Sequence, residues 1–250
     1  MLQDKVAVVT GAARGIGKCI VAEFAALGAK PVILDFDEEA GLAFVKELQA
    51  SGTDAFFFKT DVTSFTDLQN ARNAVIKKFG AVDILVINAG ISRKLAIGDI
   101  SVEEWNKVIN INLNGSFYTI KAFWDDFLAK DGEHPAKIIF ISSGSAITGT
   151  GGGCHYAASK AGQHGLMRAV ARELGPHHVN VNAVAPRVIM TDIFDHLYPT
   201  KESRNDLLQK IPIGRFGLPE DVAKLTAFLA GPGSDYVHGQ IILLDGGRTY

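Results

Sequence analysis

Short apolar runs alternate with longer amphipathic stretches along the whole chain. Runs rich in β-branched residues fall near 5–10, 31–35, 54–60, 83–88, 136–142, 179–185 and 240–244. The stretches between them place apolar residues at helical spacing. Strand and helix in regular succession predict an α/β chain with a seven-stranded parallel sheet, doubly wound, with right-handed crossovers and helices on both faces. In such sheets ligands bind beyond the carboxyl ends of the strands, where strand order reverses. Gly11, Asp35, Asp61, Asn88, Ser143 and Pro186 all lie just past a predicted strand. The least regular stretch runs from Val188 to Arg215, and no repeat, linker or low-complexity segment interrupts the pattern.

The first strand-to-helix turn is rich in glycine. Gly11-Ala12-Ala13-Arg14-Gly15-Ile16-Gly17 follows the strand Lys5–Thr10 and precedes a helical run from Cys19 to Leu27. Glycines let the backbone approach a pyrophosphate closely, and the unbonded N–H groups of a helix start carry partial positive charge toward it. About twenty residues further on, Pro31-Val32-Ile33-Leu34 ends at Asp35. A carboxylate there suits the paired hydroxyls of an adenosine ribose.

Tyr156 and Lys160 lie four residues apart in His155-Tyr156-Ala157-Ala158-Ser159-Lys160-Ala161-Gly162, which on a helix puts phenol and ammonium on one face. A free phenol titrates near pH ~10. A cation about 4 to 6 Å away stabilises the phenolate, so the pair is expected to exchange a proton with an alcohol near neutrality.

Composition narrows the alternatives. With 250 residues and 47% hydrophobic content, one domain buries its core without metal or crosslinks. A net charge of -2 with interspersed signs carries no electrostatic footprint for nucleic acid or an anionic membrane. Cys19 and Cys154 stand apart with no ligand cluster around them, which fits a reducing compartment and argues against a metal site. The first strand begins almost at once and no apolar run of about 18 residues occurs, so a cytoplasmic protein without signal peptide or membrane span is expected.

From Lys5 to Gly247 the chain resembles the short-chain dehydrogenase/reductase family, of the 250-residue type. The pattern Thr-Gly-x-x-x-Gly-x-Gly falls on Thr10, Gly11, Gly15 and Gly17; Asn-Ala-Gly falls on Asn88, Ala89 and Gly90; Ser143 stands thirteen residues before Tyr156. The resemblance implies a single Rossmann-type domain over 1–250 with a substrate lid at about 188–215. It implies a catalytic set of Asn112, Ser143, Tyr156 and Lys160. Ser143 would hold the substrate oxygen, Tyr156 would exchange the proton, and Lys160 would tune the phenol and bind the nicotinamide ribose. Asn112 would hold a water that relays protons from Lys160. The cofactor would lie along Gly11, Arg14, Gly15, Ile16, Gly17, Asp35, Asp61, Val62, Asn88, Ala89, Gly90, Tyr156, Lys160, Pro186, Ile189 and Thr191. Asp35 would repel a 2′-phosphate more strongly than exposed Arg14 would attract it, so NAD is expected ahead of NADP.

Two positions depart from the family pattern. Ile87 stands where the first asparagine of Asn-Asn-Ala-Gly is usual, and Arg187 where glycine follows Pro186. Arg187, with Arg93 and His155, is a candidate site for an anionic substrate, alongside Ser143, Ser145 and Tyr156. The expected reaction is hydride transfer between nicotinamide and a small polar or anionic secondary alcohol or its ketone. Alternatives are a 3-oxoacyl-[acyl-carrier-protein] reductase, a non-catalytic NAD sensor and an epimerase. Against the acidic carrier stand Asp125, Asp126, Asp131 and Glu133, with Arg172 the main favourable exception. Gly144, Gly149 and Gly151-Gly152-Gly153 suggest a roomy or flexible pocket wall. Phe117, Ile120, Phe123, Phe127, Leu166 and Val170 are candidates to pack across a two-fold axis, although the chain's own core is expected to use some of them, and the last strand resembles a second interface of a homotetramer.

Overall fold

The computed structural model describes residues 1–129, 135–191, 194, 198 and 200–249. Among these, all seven expected strands form: β1 (Val6–Thr10), β2 (Lys30–Asp35), β3 (Phe56–Lys59), β4 (Ile84–Ile87), β5 (Ala136–Ile141), β6 (Val179–Pro186) and β7 (Ile241–Leu244). They pair in parallel in the order β3-β2-β1-β4-β5-β6-β7. The described helices are α1 (Gly15–Ala26), α2 (Glu38–Ala50), α3 (Phe65–Phe79), α4 (Val102–Ile109), α5 (Gly115–Leu128), α6 (Ser145–Thr148), α7 (Gly153–Leu174), α8 (Lys201–Leu208) and α9 (Pro219–Ala230).

Strand periodicity divides the core in two. Successive side chains of a strand point to opposite faces. Val6, Val8, Leu85, Ile87, Ile138 and Phe140 therefore pack on one side of the sheet, and Ala7, Val9, Ile84, Val86, Ile139 and Ile141 on the other. The first layer is closed by Val75 of α3, Phe123 and Phe127 of α5, and Met167 and Leu174 of α7. The second is closed by Ile20 and Phe24 of α1, Phe44 of α2 and Val222 of α9. Ile87 is thus a core residue in place of the usual asparagine.

That same layering shows which of the apolar helix positions the chain's own core uses. Ile120, Phe123, Phe127 and Val170 are buried within their own chain, whereas Phe117 stays 49% exposed. Helices α5 and α7 turn most of their apolar stripe onto the sheet, which leaves only its rim for another copy. Between α4 and α5 the chain makes a single π-helical turn, Asn110–Asn114. β1 lies between β2 and β4, so strand order reverses there and opens a crevice above their carboxyl ends.

Candidate active site

The crevice begins at the turn from β1 into α1. Gly11 has φ +62°, and a Cβ at Gly17 would stand 2.3 Å from the Gly11 carbonyl oxygen. Two backbone segments touch here, and only glycine permits it. Gly17→Ala is expected to lower the melting temperature and weaken dinucleotide binding together, read by thermal unfolding and NADH fluorescence titration. Unchanged binding would mean that the turn tolerates a displaced backbone.

Neighbouring strand ends are tied to this turn. The Asn88 side-chain amide donates to the carbonyls of Thr10 (3.0 Å) and Gly11 (2.8 Å), while the Thr10 hydroxyl accepts from the N–H groups of Asn88 and Ala89. At the end of β2, the two Asp35 carboxylate oxygens accept from Ala13 N–H (2.9 Å) and Asp37 N–H (3.0 Å). Arg14 pairs with Asp37 at 2.6 Å. A groove of about 990 Å³ results, lined by Gly11, Arg14, Gly15, Ile16, Gly17, Asp35, Asp61, Val62, Asn88, Ala89, Gly90, Tyr156, Lys160 and Thr191. It crosses the ends of β2, β1, β4 and β5 in turn. Its length, the glycine contact that a Cβ would fill, and the acid at β2 fit a nicotinamide dinucleotide.

At the inner end, a second cavity of about 350 Å³ opens beside the groove and shares Ile16, Ser92, Ser142, Tyr156 and Thr191 with it. Ser143, Ser145, Pro186, Arg187 and Ile189 line this second space, so Pro186 and Ile189 border the expected cofactor path from the substrate side. The Ser143 hydroxyl donates to the Ser145 hydroxyl and accepts from Ser145 N–H, each at 3.1 Å. Tyr156 stands at the junction. The wall is roomy only in part: a Cβ on Gly149 would meet nothing within 4 Å and one on Gly151 only Ser145 Oγ at 3.4 Å, but one on Gly152 would lie 2.6 Å from the Tyr156 ring and one on Gly153 2.7 Å from the His155 ring. At Gly152 and Gly153 a small residue is required by contact.

Burial governs both ionisable groups. It raises the Tyr156 phenol above its ordinary value, with the Ser143 hydroxyl pulling the other way. It lowers Lys160 to about 7. The ammonium donates to the Ile141 carbonyl at 2.9 Å and lies 5.8 Å from the centre of the Tyr156 ring. Of the two influences on the phenol, burial is the larger and the Ser143 hydrogen bond the smaller.

Asn112 sits in the π-helical turn, fully buried. Its side chain accepts from Ile91 N–H (2.8 Å) and donates to the Ile91 carbonyl (2.9 Å) and the Ser159 hydroxyl (3.0 Å). Its backbone carbonyl accepts from Ser116 and Gln163. A Cβ on Gly90 would lie 3.2 Å from Asn112 Oδ1 and 3.5 Å from Lys160 Nζ, so Gly90 keeps these two groups close. Asn112 thus braces the segment after β4 against α7, and it lines neither cavity.

The sequence profile described as "Enoyl-(Acyl carrier protein) reductase" matches residues 11–249. The chain is 38% identical over 246 residues to the 3-oxoacyl-[acyl-carrier-protein] reductase FabG of Thermotoga maritima, covering 98% of each. It belongs to the short-chain dehydrogenase/reductase family. Another relative is the (2S)-[(R)-hydroxy(phenyl)methyl]succinyl-CoA dehydrogenase subunit BbsD of Thauera aromatica, 37% identical over 248 residues, 99% of this chain and 98% of that one. Among solved structures, the 3-ketoacyl-(acyl-carrier-protein) reductase from Brucella melitensis complexed with NADH superposes with a TM-score of 0.92 at 30% identity, covering 100% of both chains. The protein is accordingly an oxidoreductase of a nicotinamide-dependent family.

Against this family background the departures acquire positions. Arg187 reaches into the second cavity, but the unusual backbone angle belongs to its successor. Val188 has φ +59°, which is strained for a β-branched residue. Arg93 and His155 fall outside both cavities. Arg93 is 68% exposed and faces Glu104 at 3.6 Å, and His155 is fully buried with neither ring nitrogen hydrogen-bonded. Parts of the expected lid (192–193, 195–197 and 199), together with Asp131 and Glu133, lie outside the described residues. Asp126, one of the acids set against an acidic carrier, is paired with Arg72 at 2.8 Å. Sequence reasoning missed Asp37, Lys94 and Arg248, all of which line the two cavities. The spacing Asp35-Phe36-Asp37 was a readable sign for the first. Lys94 and Arg248 had none, since no local pattern brings those segments together.

Proposed function

We propose that the protein transfers hydride between a nicotinamide dinucleotide and the carbinol carbon of a secondary alcohol, or the corresponding ketone. The observation that carries this reading is Tyr156 at the junction of the two cavities, with Ser143 on one side and Lys160 on the other. When bound, the nicotinamide supplies or accepts the hydride. Ser143 holds the substrate oxygen by a hydrogen bond. Tyr156 gives that oxygen a proton in reduction and takes one in oxidation. Lys160, anchored to the Ile141 carbonyl, sets the charge around the phenol and would donate to the ribose of a bound dinucleotide. Asn112 positions Ile91 and Ser159 around Lys160. The acids Asp35 and Asp37 favour NAD over NADP, because Arg14 is already committed to Asp37. Residues 188–215 serve as the substrate lid, and the unit of assembly is a homotetramer.

A second reading, reduction of 3-oxoacyl groups on acyl carrier protein, is favoured over a small free alcohol by the names of the relatives. The ion pair between Arg72 and Asp126 and the exposed Arg172 also make the surface less hostile to an acidic carrier than charge counting suggested. Purified protein mixed with NADH or NADPH and a panel of ketones, a 3-oxoacyl thioester included, tests both readings. Cofactor oxidation is the expected result. Binding without loss of the reduced-nicotinamide signal across the panel would replace the enzyme with a nucleotide sensor, and product isomerised without net cofactor change would make it an epimerase.

A further inference from the structure

The second cavity holds cations for which hydride transfer has no use. Arg187 leaves the end of β6 and packs along Gly144, where a Cβ would stand 3.1 Å from its Cδ. Its guanidinium donates to the hydroxyls of Thr150 (2.7 Å) and Thr249 (3.1 Å). Arg248 and Lys94 line the same space. Arg248 is carried by a turn that Asp245 organises, accepting from Gly247 N–H and Thr249 N–H at 2.9 Å each. Among the described residues, Asp245 is the one carboxylate acting on Arg187, and its oxygens are already engaged with that turn.

Like charges confined to a small cavity repel one another. Burial and the charge of Arg248 both push the Arg187 guanidinium below its ordinary value. A bound anion removes the repulsion and forms charge-assisted hydrogen bonds with planar donors, the geometry that guanidinium offers to carboxylate, sulfonate and phosphate. An unbranched neutral acyl chain would instead leave two guanidinium groups sharing a space of about 350 Å³ with the single Asp245 carboxylate acting on Arg187. We infer that the substrate carries an anionic group a few bonds from the reacting carbon, held by Arg187 and Arg248 while Ser143 and Tyr156 take the oxygen. Arg187 and Arg248 are then specificity residues. This rests on the hydride-transfer reading and departs from the 3-oxoacyl alternative.

Matched substrates test it. 3-Oxobutanoate, acetonylsulfonate and dihydroxyacetone phosphate are compared with methyl 3-oxobutanoate, butanone and dihydroxyacetone, with a 3-oxoacyl thioester alongside. At least one anion is expected to exceed its neutral partner in kcat/KM by about 30-fold, the strength of one or two charged hydrogen bonds, and which one does so identifies the anion. Arg187→Gln and Arg248→Gln are expected to reduce that ratio by a similar factor, and Arg187→Lys to restore part of it. Neutral partners or the thioester turned over as well as the anions, or ratios unmoved in both variants, would overturn the inference. Calorimetry with malonamate, an unreactive isostere of a 3-oxo acid, acetonylsulfonate and inorganic phosphate gives a readout free of turnover. Binding of at least one that is lost in the variants upholds the anion site even if no compound in the panel consumes cofactor, in which case the hydride-transfer reading is what fails.

Discussion

Tyr156→Phe is expected to lower kcat/KM on the best ketone by a factor of about 10² to 10⁴ while leaving dinucleotide binding in place. That corresponds to about 3 to 5 kcal/mol of transition-state stabilisation. The phenyl ring preserves the packing on Gly152 but offers no proton to the oxygen that Ser143 holds. Steady-state kinetics paired with NADH titration separates the two effects, and retained turnover would remove Tyr156 from the mechanism. The direction of the pH dependence follows from burial. A phenol raised above its ordinary value keeps its proton at neutral pH, so ketone reduction holds steady there and falls only in alkali. Alcohol oxidation needs the phenolate and climbs as pH rises. Lys160 contributes to stability with a definite sign. The unfolded chain holds that proton up to its ordinary 10.5, whereas the folded chain releases it at about 7. Below 7 both forms are protonated and the full burial cost stands. Between 7 and 10.5 this residue therefore makes the fold more stable as pH increases.

The second large effect concerns cofactor choice. The protein is expected to prefer NAD over NADP, and Asp35→Ser to narrow the ratio of kcat/KM values by about 100-fold, equivalent to about 2.7 kcal/mol. Two unit charges 4 Å apart repel by about 4 kcal/mol at an effective dielectric of 20, so a partly solvated carboxylate has room to supply that difference. Arg14 does not compensate while Asp37 holds it at 2.6 Å. The double variant Asp35→Ser/Asp37→Ser releases Arg14 and is expected to shift the ratio further. Equal use of both dinucleotides by the unaltered protein would show that neither acid meets the 2′ position.

Strand positions and sheet class were legible in the sequence because apolar runs buried on both faces leave an unbroken signature, as in Val6–Val9 and Ile138–Ile141. The glycine turn and the residue spacing from Ser143 to Lys160 were equally plain, since local geometry dictates them. Three features were not. Spacing alone placed an ammonium beside the phenol of Tyr156, but the balance between desolvation and charge depends on the depth of the pocket, which is a tertiary property. Glycines 151–153 read as slack, whereas Gly152 and Gly153 are pressed against Tyr156 and His155. The cations of the second cavity come from segments more than 150 residues apart, Lys94 and Arg248, while Arg93, next to Lys94 in the chain, pairs with Glu104 and lines neither cavity. Ile120 and Phe123 illustrate the same ambiguity, since a helical stripe does not say whether its partner is a sheet or another subunit.

The wide turn at Asn110–Asn114 sets a bound on redesign. It spends one residue more than a regular helix needs, and that surplus frees the Asn112 carbonyl for Ser116 and Gln163 and aims its amide at Ile91 and Ser159. Removing a single residue there would give a straighter, more ideal α-helix running from Val102 to Leu128. It would also rotate everything upstream by about 100° and take the brace away from Lys160, so in this stretch regularity and competence pull in opposite directions.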